Sequence, residues 1–416
     1  MTRPPSFSAS AGPSSLFQRA LSLLFALAAA LALASCGGGG SGPPAPVPDM
    51  SAATGTAPPA SGNVLPVTVD RGTNGASINV PYVSVTVCEP GTENCRTIDH
   101  VLVDTASDGL RLRASAVGAL SLPVVENAAG TAVGECAQFA TGHVWGSVRR
   151  ADLRLAGERA SSVPVQIAAD PAPNFAAVPD VCSRTGAEIT VGSGANGILG
   201  VGMLARDCGG ACVVSTAPGI YFSCVATGCT ATTLPLASQV ANPVPLFASS
   251  NNNGVALILP AVPIGGAPAL SGSLVFGIDT QPNNQLGAAT VFKVNNLGNF
   301  STTYKGQTFT ASFIDSGSNA IFFSDPSLPE CSGFYCPPAP LTLSAVNTSA
   351  TGVSGTVDFI VESLPSVGSA AAAHLAADIG LSRSFDWGLP FFFGRTVFVA
   401  TVGSSTSQGA GPFWAY

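Results

Sequence analysis

One short pattern occurs twice in this chain, and it restricts the fold more than any other feature. Residues 101–107 read VLVDTAS and residues 312–318 read SFIDSGS, so each copy has apolar residues, an aspartate, a hydroxyl residue, a minimal residue and a serine. A single Asp-Ser-Gly is usually an ordinary turn. Two copies 211 residues apart, each after an apolar run, instead predict two similar half-chains related by a pseudo-twofold axis.

The two aspartates, Asp104 and Asp315, are interpreted as a catalytic pair. Two carboxylates held close together cannot both ionise cheaply, so they share one proton. One then polarises a water molecule while the other donates to a substrate carbonyl oxygen. The other motif positions would support the pair by pinning the opposite loop, allowing close approach or hydrogen-bonding the carboxylates: Thr105, Ala106, Ser107, Ser316, Gly317 and Ser318.

The composition predicts many short strands and little helix. The chain has 47 glycines and 33 prolines. They separate short runs of Val, Thr, Ile and Leu, as in β-rich proteins. The segment AAAAHLAADIGLS, residues 370–382, is the one predicted helix because it is rich in helix-forming residues. A net charge of −7 gives no basic surface for nucleic acid, so no nucleic-acid partner is expected.

The N-terminal segment predicts export and a lipid anchor. Arg3 and Arg19 precede the apolar run ALSLLFALAAALALAS, which has the charge and length of a signal peptide over residues 1–35. The following Leu-Ala-Ser-Cys resembles the bacterial lipobox, which implies lipidation of Cys36. Gly37 in place of Asp then implies delivery to the outer membrane of the cell envelope. Residues 37–62 are Gly, Pro, Ala and Ser with few bulky apolar residues, so 36–62 is interpreted as a lipidated flexible tether.

The other ten cysteines predict disulfides, because an even number in an exported chain is typical of an oxidising compartment. Cys88–Cys95 and Cys331–Cys336 are expected as short bridges and Cys136–Cys182 as a long one. Four cysteines between residues 208 and 229 should form two more bridges, whose pairing the sequence leaves open. The alternative is a zinc site at Cys208 and Cys212, which the absence of histidine in that cluster disfavours. We therefore expect neither a metal nor a cofactor.

Six segments in the same order resemble the pepsin-like aspartic proteases. They are Asp104–Leu112 and Asp315–Phe323 (the two catalytic elements), Phe139–Gly146 (the flap), Asn196–Gly202, Ser271–Asp279 and Gly388–Val399. The resemblance implies an all-β bilobal fold with few short helices, lobes at residues 63–270 and 271–416, and a peptide or protein substrate in the cleft between them. It also implies flap positions at Phe139, Thr141, Gly142, His143 and Trp145.

The segment GLPFFFGRTVFVA, together with the lipobox, more narrowly resembles a group of uncharacterised proteobacterial lipoproteins of unknown function. Three positions depart from the protease pattern, with Ala106 in place of Gly, Phe139 in place of Tyr and Arg111 in place of Trp. Asp108 adds a further carboxylate, which would repel Asp104 or be neutralised by Arg111. The leading hypothesis is a monomeric aspartic-type endopeptidase of the envelope. The alternative is a catalytically weak binding or assembly lipoprotein that keeps the cleft.

Overall fold

The computed structural model describes residues 62–189, 194–295, 297–364, 368–378, 380 and 382–416. The predicted signal peptide, Cys36 and all of the tether except residue 62 lie outside the described residues. Within the described ranges, no helix combines the length and the apolar character needed to cross a membrane.

The first two thirds of the chain form most of a large sheet. Within the described residues this sheet has 16 strands, completed by two strands from the C-terminal end of the chain. The strands from the first part are β1 (Val64–Val69), β2 (Pro81–Cys88), β3 (Cys95–Asp104), β4 (Asp108–Arg113), β5 (Val133–Phe139), β6 (Gly142–Leu155), β7 (Glu158–Ala168), β8 (Ala187–Glu188), β9 (Gly197–Val201), β10 (Tyr221–Val225), β11 (Gly228–Ala231), β12 (Gly254–Leu259), β13 (Leu270–Phe276) and β14 (Val291–Lys293).

The last third contributes a second sheet and two small hairpins. Its strands are β15 (Phe300–Tyr304), β16 (Gln307–Ile314), β17 (Ile321–Phe322), β18 (Glu330–Cys331), β19 (Phe334–Tyr335), β20 (Leu341–Thr348), β21 (Ser354–Val361), β22 (Ala376–Ala377), β23 (Asp386–Trp387), β24 (Arg395–Ala400), β25 (Ser405–Thr406), β26 (Gly409–Ala410) and β27 (Phe413–Ala415). The second sheet has the order β21-β20-β15-β16-β23-β17-β22. β24 returns to the large sheet beside β12, and β27 pairs with β24 and β14.

Helices are few and short in the described parts of the chain. They are α1 (Ala114–Val117), α2 (Asp180–Ser183) and α3 (Gly210–Val214), with 3-10 turns at Pro173–Phe175, Leu236–Ser238, Val244–Leu246 and Leu389–Phe392. The prediction of an all-β protein with few short helices is confirmed.

Side-chain alternation explains why these segments form strands. In β21 the apolar residues Val357, Phe359 and Val361 are buried while Thr356 and Asp358 are exposed, as in a strand with one face toward solvent. In β9 and β12 every residue is buried, which is typical of a strand covered on both faces. The predicted lobe boundary at residues 270/271 lies at the start of β13, a strand that pairs with both β1 and β12.

The two aspartate motifs occupy matching positions in two similar sets of ladders. β3, which ends at Asp104, runs parallel to β9, and β9 runs antiparallel to β4, which in turn is parallel to β7. β16, which leads into Asp315, runs parallel to β23, and β23 runs antiparallel to β17, which in turn is parallel to β22. The same local framework therefore presents both aspartates.

The predicted helix at residues 370–382 is wrong. The described part of that segment contains no helix, and Ala376 and Ala377 form β22 instead. Long-range hydrogen bonds replace helical ones, since the Asn79 side chain donates to the Ala372 carbonyl and accepts from its amide at 2.8 and 2.7 Å. The alanines that favour a helix are small enough to be buried here, so tertiary packing overrides their intrinsic preference.

Five disulfides form within the described residues, and the three pairs expected from sequence are confirmed: Cys88–Cys95, Cys136–Cys182 and Cys331–Cys336. The open pairing between residues 208 and 229 is Cys208–Cys212 with Cys224–Cys229. The zinc alternative is contradicted, because Cys208 and Cys212 are bonded to each other.

Candidate active site

Reciprocal hydrogen bonds hold the two aspartate loops back to back. Thr105 Oγ1 donates to the Ile314 carbonyl at 3.0 Å and accepts from the Ser316 amide at 3.0 Å. In return, Ser316 Oγ donates to the Val103 carbonyl at 2.7 Å and accepts from the Thr105 amide at 3.1 Å. Both hydroxyl residues are almost fully buried, at 1% and 0% exposure, so water does not compete for these bonds. The structure thus brings together residues that are 211 positions apart.

The aspartate side chains approach each other closely at Gly317. A Cβ atom added to Gly317 would lie 3.0 Å from Asp104 Cγ and 3.0 Å from Asp315 Oδ1. Contacts of this length are tighter than nine in ten real Cβ contacts, so a methyl group at this position would force the carboxyl groups to shift by a few tenths of an ångström. Ala106, at the matching position of the first loop, is exposed, and its methyl group is tolerated there.

The two carboxyl groups have different hydrogen-bond partners. Asp104 Oδ1 accepts from the amides of Ala106 and Ser107 at 2.9 and 3.1 Å, and its Oδ2 accepts from Ser107 Oγ at 2.6 Å. Asp315 Oδ1 accepts one amide bond, from Gly317 at 2.7 Å. Ser318 Oγ lies 2.8 Å from Asp315 Oδ2.

Burial, followed by the negative charge of Asp104, raises the pKa of Asp315 well above its usual range. Neighbouring carboxyls that interact so strongly retain a shared proton at a pH where an isolated aspartate has lost it. The pair therefore shares one proton.

A cavity of about 800 Å³ opens over the pair. Residues from both sequence halves line it. They include Arg111 and five acidic residues, Asp104, Asp108, Asp207, Asp315 and Asp386, with apolar surface from Phe139, Ile198, Phe313, Phe322 and Phe334. This volume lies within the usual range of ligand-binding pockets. Across the described residues, no group of three or more His, Cys, Asp or Glu side chains is arranged to hold a metal ion.

The predicted flap is a hairpin of β5 and β6 whose turn lies at Ala140 and Thr141. Phe139 and Thr141 line the cavity, whereas His143 and Trp145 do not. His143 Nδ1 lies 2.9 Å from the Gly186 carbonyl, and buried Trp145 Nε1 donates to the Phe175 carbonyl at 2.9 Å. Gly142 packs against β8, where a Cβ would contact the Ala187 carbonyl. The hairpin tip therefore faces the cavity while its base is fixed to the sheet.

Arg111 is buried beneath the flap, at 3% exposure. Its Nη2 atom lies 2.6 Å from Glu135 Oε1 and 3.6 Å from Asp207 Oδ2, and its guanidinium lies 5.9 Å from the centre of the Phe139 ring. Burial and the charge of Glu135 raise the pKa of Asp207 well above its usual range. This ionic cluster occupies the position where the resemblance implies a hydrogen-bonding Tyr and Trp.

Asp108 is not the ionic partner of Arg111, because Arg111 donates to the backbone carbonyl of Asp108 at 2.9 Å rather than to its carboxylate. Asp108 Oδ1 instead accepts from the Leu204 amide at 2.8 Å. Burial raises the pKa of Asp108 to about 7, so this carboxyl is largely protonated at acidic pH and adds little negative charge there.

Sequence analysis missed a third acid beside the pair, Asp386. It lies on β23, directly opposite Phe313 of the strand that leads into Asp315, and is 2% exposed. Its neighbours Phe385, Trp387 and Phe391 are buried core residues, so the surrounding sequence looks like plain core. The one available signal is an aspartate within an aromatic run, since a buried acid among apolar residues is unusual.

A family model described as a protein of unknown function (DUF3443) matches residues 59–416, which covers all the strands and the whole candidate site. The chain belongs to the DUF3443 family. Comparison with curated proteins gave no match. The matched region begins close to residue 62, the first described residue, and the description of the family names no activity.

Proposed function

We propose that this DUF3443 protein is an aspartic-type endopeptidase of pepsin-like, bilobal fold. The observation that carries the proposal is the reciprocal set of hydrogen bonds between Thr105 and Ser316, which holds Asp104 and Asp315 together at the base of a cleft. Structural aspartates in turns do not need a paired partner from a loop 211 residues away. The proposed lobes are residues 63–270 and 271–416, with the pair between them.

A pair of carboxyls that shares one proton is suited to peptide-bond hydrolysis, because one carboxyl can accept a proton while the other donates one. Asp104, ionised, accepts a proton from a water molecule as the water oxygen attacks the peptide carbonyl carbon. Asp315 donates its proton to the carbonyl oxygen, which gives a neutral tetrahedral intermediate. When the C–N bond breaks, Asp104 gives its proton to the leaving nitrogen and Asp315 recovers a proton from the intermediate's hydroxyl. Both carboxyls end in their starting states.

The flap and the cavity walls suit an extended polypeptide. Phe139 and Thr141 cover the cavity from the first half, while Phe313, Phe322 and Phe334 line it from the second. Mixed aromatic and acidic walls can bury apolar side chains and accept backbone N–H groups from a substrate. The proposed location, a lipid anchor at Cys36 in the outer membrane, is supported by the sequence of the N-terminal segment. The five disulfides are typical of an exported protein.

The test is cleavage of an unfolded polypeptide by the purified mature protein between about pH 3 and pH 7. Asp315→Asn should reduce kcat/KM by more than about 100-fold, because it removes the acid that protonates the carbonyl oxygen. Asp358→Asn is the matched control, since Asp358 is an exposed aspartate on β21. Wild-type cleavage that persists in Asp315→Asn would show that another group, or a contaminant, performs the reaction.

A second candidate function is peptide binding without efficient cleavage. The ionic cluster of Arg111, Glu135 and Asp207 favours it, because this cluster replaces the hydrogen-bonding flap side chain that the resemblance implies. Binding of pepstatin separates the two functions. Binding that depends on Asp315 together with peptide cleavage supports the endopeptidase, whereas the same binding without cleavage supports the binding protein.

A further inference from the structure

At two matching positions, one half of the site has a polar residue where the other half has an apolar one. In the first half, Ile198 of β9 pairs with Arg111 of β4. In the second half, Asp386 of β23 pairs with Phe322 of β17. Ile198 and Asp386 correspond because each lies opposite the residue two positions before a catalytic aspartate, Leu102 or Phe313. An acid therefore stands beside Asp315 where a hydrocarbon stands beside Asp104.

Asp386 contacts the pair through a single hydroxyl group. Its Oδ2 atom lies 2.6 Å from Ser318 Oγ, and the same Oγ lies 2.8 Å from Asp315 Oδ2. Among the described residues, Asp386 Oδ1 has no hydrogen-bond partner, although the atom is buried. Asp386 also lines the cavity. Within the described parts of the chain, the charges that affect the pKa of Asp386 are those of Asp315 and Asp104, which are both negative. No positive side chain in those parts therefore stabilises the Asp386 carboxylate.

The contacts of Ser318 with Asp386 and Asp315 require one proton more than the Asp104–Asp315 pair holds. A serine hydroxyl has one hydrogen, so Ser318 can donate to only one of the two carboxylates. The other carboxyl must then be protonated and donate to the Ser318 oxygen, or two buried acceptors would face each other. Asp315 already shares its proton with Asp104, and burial followed by the charge of Asp315 raises the pKa of Asp386 well above its usual range. Asp386 is therefore the donor.

We propose that Asp386 is a positioning residue that holds a second proton and, by donating to Ser318, directs the serine hydroxyl at Asp315. This inference rests on the proposed function for its catalytic consequence, whereas the second proton follows from the contacts of the Ser318 hydroxyl with Asp386 and Asp315. The resulting order is Asp386 to Ser318 to Asp315 to Asp104, with two protons spread over three carboxyls.

The arrangement has a pH consequence with a definite sign. When Asp386 ionises at higher pH, its negative charge disfavours ionisation of Asp315, so the pair keeps its shared proton to a higher pH than it would alone. The groups facing Asp386 are Asp315 and Asp104, while Phe313 and Phe322 flank it on β16 and β17. Asp386 thus extends the active range toward neutral pH.

Three variants test the proposal. Asp386→Asn keeps a donor to Ser318 but cannot ionise, so the decline of activity at high pH should begin at a lower pH than in wild type. Asp386→Ile, the residue of the matching position 198, removes the donor as well and should lower kcat/KM by about 10-fold to 100-fold. In a Ser318→Ala background, Asp386→Ile should lower kcat/KM by less than it does in wild type, because the hydrogen bond between Asp386 and Ser318 is already absent.

Infrared difference spectroscopy provides a readout that needs no substrate. At neutral pH, the infrared difference between wild type and Asp386→Asn should contain the C=O band of one buried protonated carboxyl, and the difference between wild type and Asp358→Asn should not. If wild type does not cleave peptides but the band is lost in the variant, the endopeptidase proposal fails and the second proton stands. If cleavage depends on Asp315 but neither the band nor the alkaline limb responds to Asp386→Asn, the Asp386 proposal is overturned and the endopeptidase stands.

Discussion

The two aspartate loops share a backbone framework but differ in the charges around them. In the first half, Arg111 and Ile198 flank Asp104, and three hydrogen bonds reach its carboxylate. In the second half, Phe322 and Asp386 occupy the matching positions near Asp315. At these positions the first half has a cation where the second has a phenyl ring, and the second half has an acid where the first has an isoleucine. The difference teaches that two similar backbone supports can surround their aspartates with different charges.

The largest predicted effect concerns the cation of the first half. Arg111→Met should lower the free energy of unfolding by about 3–5 kcal/mol, because it leaves the carboxylate of Glu135 buried at 0% exposure without its partner. Urea unfolding of the disulfide-intact protein at neutral pH measures this change.

Phe322→Leu is the control at the matching position of the second half, and it should cost less than about 1.5 kcal/mol because it exchanges one apolar side chain for another. Equal losses from the two substitutions would contradict a special electrostatic role for the first half.

The second prediction concerns the two minimal residues of the loops. Gly317→Ala places a methyl group 3.0 Å from Asp104 Cγ, so the carboxyl groups must shift by a few tenths of an ångström, and kcat/KM should fall by about 10-fold to 100-fold. Steady-state cleavage and pepstatin affinity both report the change.

Ala106→Gly is the reverse substitution in the first loop and should leave kcat/KM near the wild-type value, because residue 106 is exposed. A large gain from Ala106→Gly would instead show that its methyl group already strains the pair.

The third prediction concerns stability as a function of pH. The pKa of Asp315 is raised in the folded state, whereas an unfolded aspartate titrates near about 3.9. Above that pH the native state keeps a proton that the unfolded state has lost, so the free energy of unfolding falls as pH rises, by up to about 1.4 kcal/mol per unit. In Asp315→Asn the free energy of unfolding should fall less steeply as pH rises. The variant should therefore be more stable than wild type at neutral pH, and this difference should vanish below about pH 4.

Asp358→Asn, an exposed change on β21, controls for the loss of one negative charge. Parallel stability curves for wild type and Asp315→Asn would mean that Asp315 ionises as readily in the native protein as in the unfolded chain.

The smallest predicted effect is at the flap. Phe139→Leu removes the contact between the aromatic ring and the Arg111 guanidinium, whose Cζ lies 5.9 Å from the ring centre, and should cost about 0.5–1 kcal/mol. Urea unfolding measures the loss. An unchanged urea midpoint would indicate that the ionic cluster of Arg111, Glu135 and Asp207 does not depend on its contact with Phe139.

The sequence was sufficient for the all-β class and for the residues of both aspartate motifs, because each motif is local and is repeated. Three disulfides were also predictable, since short or isolated cysteine pairs have few alternatives. The Cys208–Cys212 and Cys224–Cys229 pairing was not, because four clustered cysteines permit several connections.

The remaining features depend on contacts between distant residues. The segment at 370–382 was predicted as a helix, yet Asn79 and β17 bind its backbone in extended form. The role of Asp386 is invisible in sequence, because only the register of β23 against β16 places it beside Ser318. Likewise, the partner of Arg111 is Glu135 on β5 and not the nearby Asp108 carboxylate, a choice set by how β4 and β5 pack.

The order of strands in the large sheet determines when the cleft can appear during synthesis. β12 gains its neighbour β24 only after residue 400 has been made, and β27 joins β24 through residues 413–415. Ladders between such distant segments form slowly, because much chain must be closed first. A ribosome-bound chain that ends before residue 315 carries one aspartate loop without its counterpart. The proposed cleft therefore cannot form until both aspartate loops and β24 have been synthesised.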